Sequence, residues 1–145
     1  MLDEDMIKTI FKRLSVIETL RPLYRASEKG FTSSVFYETS KLQGPTLTII
    51  LTNKDHKFAL FRDVSFMQPL TPLQTIDPRG FILSNKKLVK LQEPHLTFQE
   101  MGSSGPFLII GSQQNPDLVI CDNCNQHTDN YGSLDICWNP QTPIT

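Results

Sequence analysis

No stretch of this 145-residue chain approaches the ~20 consecutive apolar residues that a spanning helix needs, which argues against a membrane span. The opening Met1-Leu-Asp-Glu-Asp-Met6 is acidic and lacks the basic start of a secretory signal. Asn-x-Ser/Thr acceptors are absent, and cysteine is scarce. Three cysteines cannot all pair, which fits a reducing compartment better than a disulfide scaffold. A cytoplasmic protein is the expectation.

Positive charge is missing from one part of the chain. All 14 Lys and Arg fall within residues 1–90, against nine acidic residues there, so that part carries +5. Residues 91–145 hold six acidic residues and no Lys or Arg, which leaves them at −6. No block of five like charges occurs, so the two parts are expected to fold against each other and cancel much of their fields. Nucleic-acid binding by a basic stripe is not expected, on the same ground.

Catalytic patterns are absent too. Neither G-x-S-x-G nor H-E-x-x-H occurs, and His56, His95 and His127 share no motif with a Ser or Cys nucleophile. Gly102-Ser-Ser-Gly105 precedes an apolar run that reads as a strand, whereas phosphate cradles open helices. The sequence therefore predicts a protein without enzymatic turnover and without a cofactor.

What the chain does contain is enough apolar material for one core: 39% hydrophobic residues, with nine Phe as the large fillers. Ile7, Ile10, Phe11, Leu14 and Ile17 recur at three- and four-residue steps, predicting an amphipathic helix from Glu4 to Leu20. Pro22 interrupts it, Leu23 to Lys29 reads as a short second helix, and Thr32, Ser33 and Ser34 offer caps for a third over Val35 to Ser40. Gly30 follows the second helix where a left-handed cap is needed.

After Gly44 the pattern changes to short apolar runs between Gly, Pro and Asn turns. Thr46 to Thr52 with Lys57 to Arg62, and Gly80 to Ser84 with Leu88 to Leu91, read as hairpins. Gln68 to Pro78 reads as a loop. Further strands are expected at His95 to Gln99, Pro106 to Ile110, Asp117 to Cys121 and Leu134 to Trp138. The class expected is α+β: a single domain over residues 1–145, an antiparallel β-sandwich flanked by N-terminal helices. Phe31, Phe36, Leu47, Ile49, Phe81 and Trp138 are the expected core residues.

Cys121-Asp-Asn-Cys124-Asn-Gln-His127, with Cys137 beyond it, carries the one chemical alternative. Three thiolates and an imidazole can close a tetrahedral zinc site, which would make the chain a small zinc-binding regulatory module. The bland reading is that Cys121 ends an apolar strand as a small core residue, with a solvated loop after it.

Leu23-Tyr-Arg-Ala-Ser-Glu-Lys-Gly-Phe31, followed by Gly44-Pro-Thr-Leu-Thr-Ile-Ile50, resembles the start of a TLDc domain of the kind found in single-celled eukaryotes. Tyr24, Arg25, Ser27, Gly30, Phe31 and Phe36 match the first family motif, and Gly80, Phe81 and Leu83 a middle strand. Asp117, Leu118, Ile120, Asp122 and Asn123, then Tyr131, Ser133 and Leu134, match later segments. Two departures stand out. The family's glycine cluster is reduced to Gly111 within Ile110-Gly-Ser-Gln-Gln-Asn-Pro-Asp117, and a closing strand is either missing or supplied by Asp135 to Trp138. The resemblance implies a non-enzymatic protein-interaction module linked to oxidative-stress protection and to the vacuolar proton pump (V-ATPase), whose subunits become the first candidate partners. The contact residues expected from the sequence are those of the acidic, Asn-rich stretch: Asp117, Asp122, Asn123, Asn125 and Asp129.

Overall fold

The computed structural model describes residues 4–14, 20–51, 55, 57–84, 87–88, 96–100, 106–111 and 116–122. Three helices come first: α1 (Glu4–Leu14), α2 (Ala26–Lys29) and α3 (Ser33–Ser40). Eight strands follow: β1 (Thr46–Leu51), β2 (Lys57–Arg62), β3 (Leu73–Asp77), β4 (Phe81–Ser84), β5 (Lys87–Leu88), β6 (Leu96–Glu100), β7 (Pro106–Gly111) and β8 (Pro116–Cys121). They form two antiparallel four-stranded sheets, β1-β2-β4-β5 and β3-β6-β7-β8. The α+β sandwich with helices at its N-terminal side is the observed architecture.

Period-two alternation divides the apolar residues of the first sheet between two cores. Phe58, Leu60 and Ile82 point inward, where Phe98, Leu108 and Ile110 of the second sheet meet them together with Phe36, Tyr37 and Phe66. Ala59, Phe61, Phe81 and Leu83 point outward, where Met6 and Ile10 of α1 cover them. Consequently β2 and β4 are buried on both faces. Acidic Glu4 and Asp5 in the first turn of α1 and basic Lys12 and Arg13 in the last complement its dipole.

Several expectations shift here. The buried row of α1 is Met6–Ile10, with Leu14 packed partly against the same core, while Phe11 is exposed. Apolar residues on α1 cover more than one face, and only the sheet beneath selects which row is buried. Helix α1 is described to Leu14, Ile17 lies outside the described residues, and Leu20 is exposed and non-helical. The second helix is shorter than expected, beginning at Ala26.

In the strands, Ile49 is an exposed residue of edge strand β1 rather than a core residue. Phe36 and Phe81 are core residues, Leu47 packs at the margin of the outer core, and Phe31 is half-buried. Trp138 and the strand expected at Leu134 to Trp138 lie outside the described residues. The stretch expected as a loop, Gln68 to Pro78, contains β3. Its flanking prolines, Pro72 and Pro78, stop short of the ladder, a placement that suits a strand at a sheet edge.

Gly30 does have positive φ, at 104°, but its ψ of 165° lies in the extended region that only glycine populates readily. Its N–H closes α2 on Ala26 O, and its carbonyl accepts from the Tyr24 hydroxyl. A Cβ there would meet nothing within 4 Å, so any penalty is backbone strain alone. Gly30→Ala is expected to destabilise by about 1–3 kcal/mol, read from the urea midpoint. On α1, Ile10→Ala should cost about 2–5 kcal/mol, whereas Phe11→Ala should stay within about 0.5 kcal/mol of the parent. Equal losses would place the helix in a different rotation on the sheet.

Candidate functional site

Strand β3 leaves the first sheet for the second and the chain then returns, so two crossings must be anchored beside each other. Asp77, the fully buried last residue of β3, anchors both. Its Oδ2 accepts from the N–H groups of Asp63 (2.7 Å) and Val64 (3.2 Å) on the outgoing crossing. Its Oδ1 accepts from Arg79 N (3.1 Å) and Gly80 N (2.9 Å) on the return. Backbone donors that no strand partner reaches are thus satisfied by one carboxylate.

Glu100 does the same for the next stretch of the outgoing crossing. Its Oε1 accepts from Met67 N (3.0 Å) and Gln68 N (3.2 Å), and its Oε2 accepts from Arg62 Nη2 (2.9 Å). Arg62 and Glu100 are both 0% exposed. The guanidinium stacks over the rings of Phe66 and Phe98, at 4.3 and 4.4 Å, and Nη2 also donates to Ser65 O. Arg62 Nε and Nη1 find no partner among the described residues. A neighbouring hydroxyl completes the group: burial first, then the Glu100 carboxylate, push the pKa of Tyr37 far up, so it stays neutral.

These anchors hold the crossing against the end of α3. Phe66 bridges Lys41, Leu42 N donates to Phe66 O (2.9 Å), and Gly44 N donates to Ser65 Oγ (2.9 Å). The result is a surface made of two paired segments. It displays Leu42, Met67, Leu70 and Leu73, all exposed, with Leu70 standing fully in solvent. Leu42 and Gln68 hold positive φ, at 57° and 54°. Both are non-glycine residues in a region that costs an L-residue roughly 1–2 kcal/mol. Lys41 Nζ bonds Gln68 Oε1, and Arg21 bonds Gln43, at 3.1 Å each.

The residues singled out from the sequence fall elsewhere. Asp122, just after β8, is half-buried and its Oδ1 accepts from Ser33 N at the start of α3, 89 residues away. Thr32 holds the N-cap position without a side-chain cap bond, so a distant carboxylate supplies what the local Thr and Ser residues were expected to supply. Asp117 lies within β8, while Asn123, Asn125 and Asp129 lie outside the described residues. Of the zinc alternative, Cys121 is the last residue of β8, and Cys124, His127 and Cys137 lie outside the described residues. Among the described residues, no three His, Cys, Asp or Glu side chains are placed to hold a metal. Sequence reasoning missed Leu42, Met67 and Leu70. A signal for them was present: residues 64–76 carry no charge, and Pro69 and Pro72 bracket Leu70.

A β-sandwich whose buried acids, Asp77 and Glu100, bind its own backbone is the class of β-rich module observed. The chain belongs to the TLDc domain family, which matches residues 1–142. Comparison with curated proteins and with solved structures gives no match.

Breaking the buried pair from one side leaves an uncompensated charge. Arg62→Met and Glu100→Gln should each destabilise by about 3–5 kcal/mol. The double variant should cost less than the sum by roughly 1–3 kcal/mol, because the amide introduced by Glu100→Gln can still accept from Met67 N or Gln68 N with no orphaned guanidinium beside it. Strict additivity in urea titrations would show that the two side chains act independently.

Proposed function

We propose that this chain is a non-enzymatic TLDc module that works by protein contact, with the vacuolar proton pump as its partner and oxidative-stress protection as its cellular outcome. One observation carries the contact reading. The charged groups best suited to chemistry, Arg62, Glu100 and Asp77, are fully buried and bound to one another or to backbone N–H groups. A reacting group needs access to substrate, and these have none. The surface nearby offers apolar side chains instead, the material of a protein interface. The pump and the link to oxidative damage come from the family resemblance, which supplies a partner class but no contact residues.

No helix among the described residues is long and apolar enough to cross a membrane. Action from the cytosol on the peripheral part of the pump is the corresponding proposal.

The test is capture of the purified peripheral sector of the pump by the immobilised chain, in parallel with peroxide survival of cells that carry or lack it. Retention of pump subunits and loss of peroxide survival without the chain are the expected results. Absence of pump subunits from the retained fraction would refute the partner. A hydrolase or peroxidase activity abolished by one polar substitution that leaves the fold intact would refute the contact mechanism.

A further inference from the structure

Leu42 presents a puzzle in its own backbone. It sits at φ 57°, where Gly or Asn is accommodated far more easily, yet its side chain is 67% exposed and lies in neither core cluster. No core contact accounts for a leucine there. A strained residue held by its surroundings is a pointer to function, and here those surroundings are the Phe66 pairing and the crossing stapled by Glu100. On that same crossing Gln68 holds positive φ immediately before Pro69, although a residue preceding proline prefers extended geometry. Two strained positions therefore flank one apolar surface.

The loop that follows is stiff. Pro69 and Pro72 fix their own φ on either side of fully exposed Leu70, so little ordering entropy remains to be lost on binding. Two acids lie nearest in sequence: Asp63 at the start of the crossing, which is paired with Arg79, and exposed Glu38 on α3. Residues 64–76 are uncharged and residues 39–53 carry only Lys41. Lys41 and Arg21 each bond a glutamine amide, and no carboxylate neutralises either among the described residues. An apolar face rimmed by two cations selects a partner segment that pairs an apolar side chain with acidic neighbours.

We infer that the crossing from β2 to β3, with the Lys41–Leu42 corner, is the docking face of this module, and that it takes an acidic protein segment whose apolar side chain packs on Leu42, Met67 and Leu70. The inference rests on the contact reading above and adds its face and the chemistry of its partner. Lys41 and Arg21 steer the segment, and the three apolar residues hold it.

A random 12-residue peptide library selected on the immobilised chain tests this directly. Enriched peptides should carry Leu, Met or Phe beside Asp or Glu. Their binding should weaken about tenfold on Leu42→Gly or on Leu70→Ser, the change expected for a buried anchor. Lys41→Glu should reduce it in a salt-dependent way. Leu42→Gly must leave the melting temperature unchanged or raised, since it relieves backbone strain. Phe11→Ser on α1, which packs on the outer side of the first sheet, should leave binding unaltered. Basic or neutral peptides, no enrichment, or binding indifferent to Leu42→Gly and Leu70→Ser would each overturn the face. Acidic peptides that obey these variants while the pump sector is not retained would uphold the face and refute the pump. A retained pump sector indifferent to both variants would do the reverse.

Discussion

The contact between Arg62 and Glu100 sets the geometry on which the rest depends. As a stability device it is a poor choice. Removing both charges from water costs several kcal/mol each, and an apolar pair of similar volume often does as well or better. Two guanidinium nitrogens, Nε and Nη1, are also left without partners among the described residues. What the pair does supply is direction. A carboxylate can gather Met67 N and Gln68 N only if it is buried where they point, and it can be buried there only beside a cation. The rings of Phe66 and Phe98 make that cation tolerable in the core.

Asp77 solves the neighbouring problem by the same means. A strand inserted into the opposite sheet leaves two chain crossings with unpaired donors, and one carboxylate closes both. Together the two acids turn a segment of irregular backbone into a rigid element. That rigidity lets Leu42 and Gln68 persist at positive φ, because the surrounding bonds over-determine them. Buried charge and exposed apolar display are two ends of one mechanical arrangement: the core acids aim the surface.

Much of the architecture was legible beforehand, for local reasons. The pairing of β1 with β2, that of β4 with β5, and the strands β6 to β8 follow from short apolar runs punctuated by Gly, Pro and Asn. The positive φ of Gly30 was readable because a helix end demanded it, although its ψ placed it outside the left-handed well. Strand β3 was not readable. Prolines at its ends imitate a loop, and only pairing with β6 shows that its interior, Leu73 to Asp77, is free to donate and accept. The site was less legible still. Asp122 read as a solvated contact residue, whereas one of its oxygens accepts from Ser33 N, 89 residues earlier in the chain.

The sequence alone determined the class, the family and, β3 apart, the order of the described elements, because hydrophobic period, turn chemistry and local motifs act over a few residues. The tertiary structure decided which row of α1 is buried, which acids serve the backbone, and which apolar residues stay in solvent. Those outcomes depend on groups brought together from distant parts of the chain: Arg62 with Glu100, Asp63 with Asp77, Ser33 with Asp122. No local pattern records such pairings, since each residue's own neighbours would permit several others. Leu42 shows the division most plainly. In sequence it is one more apolar residue after a helix, and only its backbone angle and exposure mark it as displayed rather than buried.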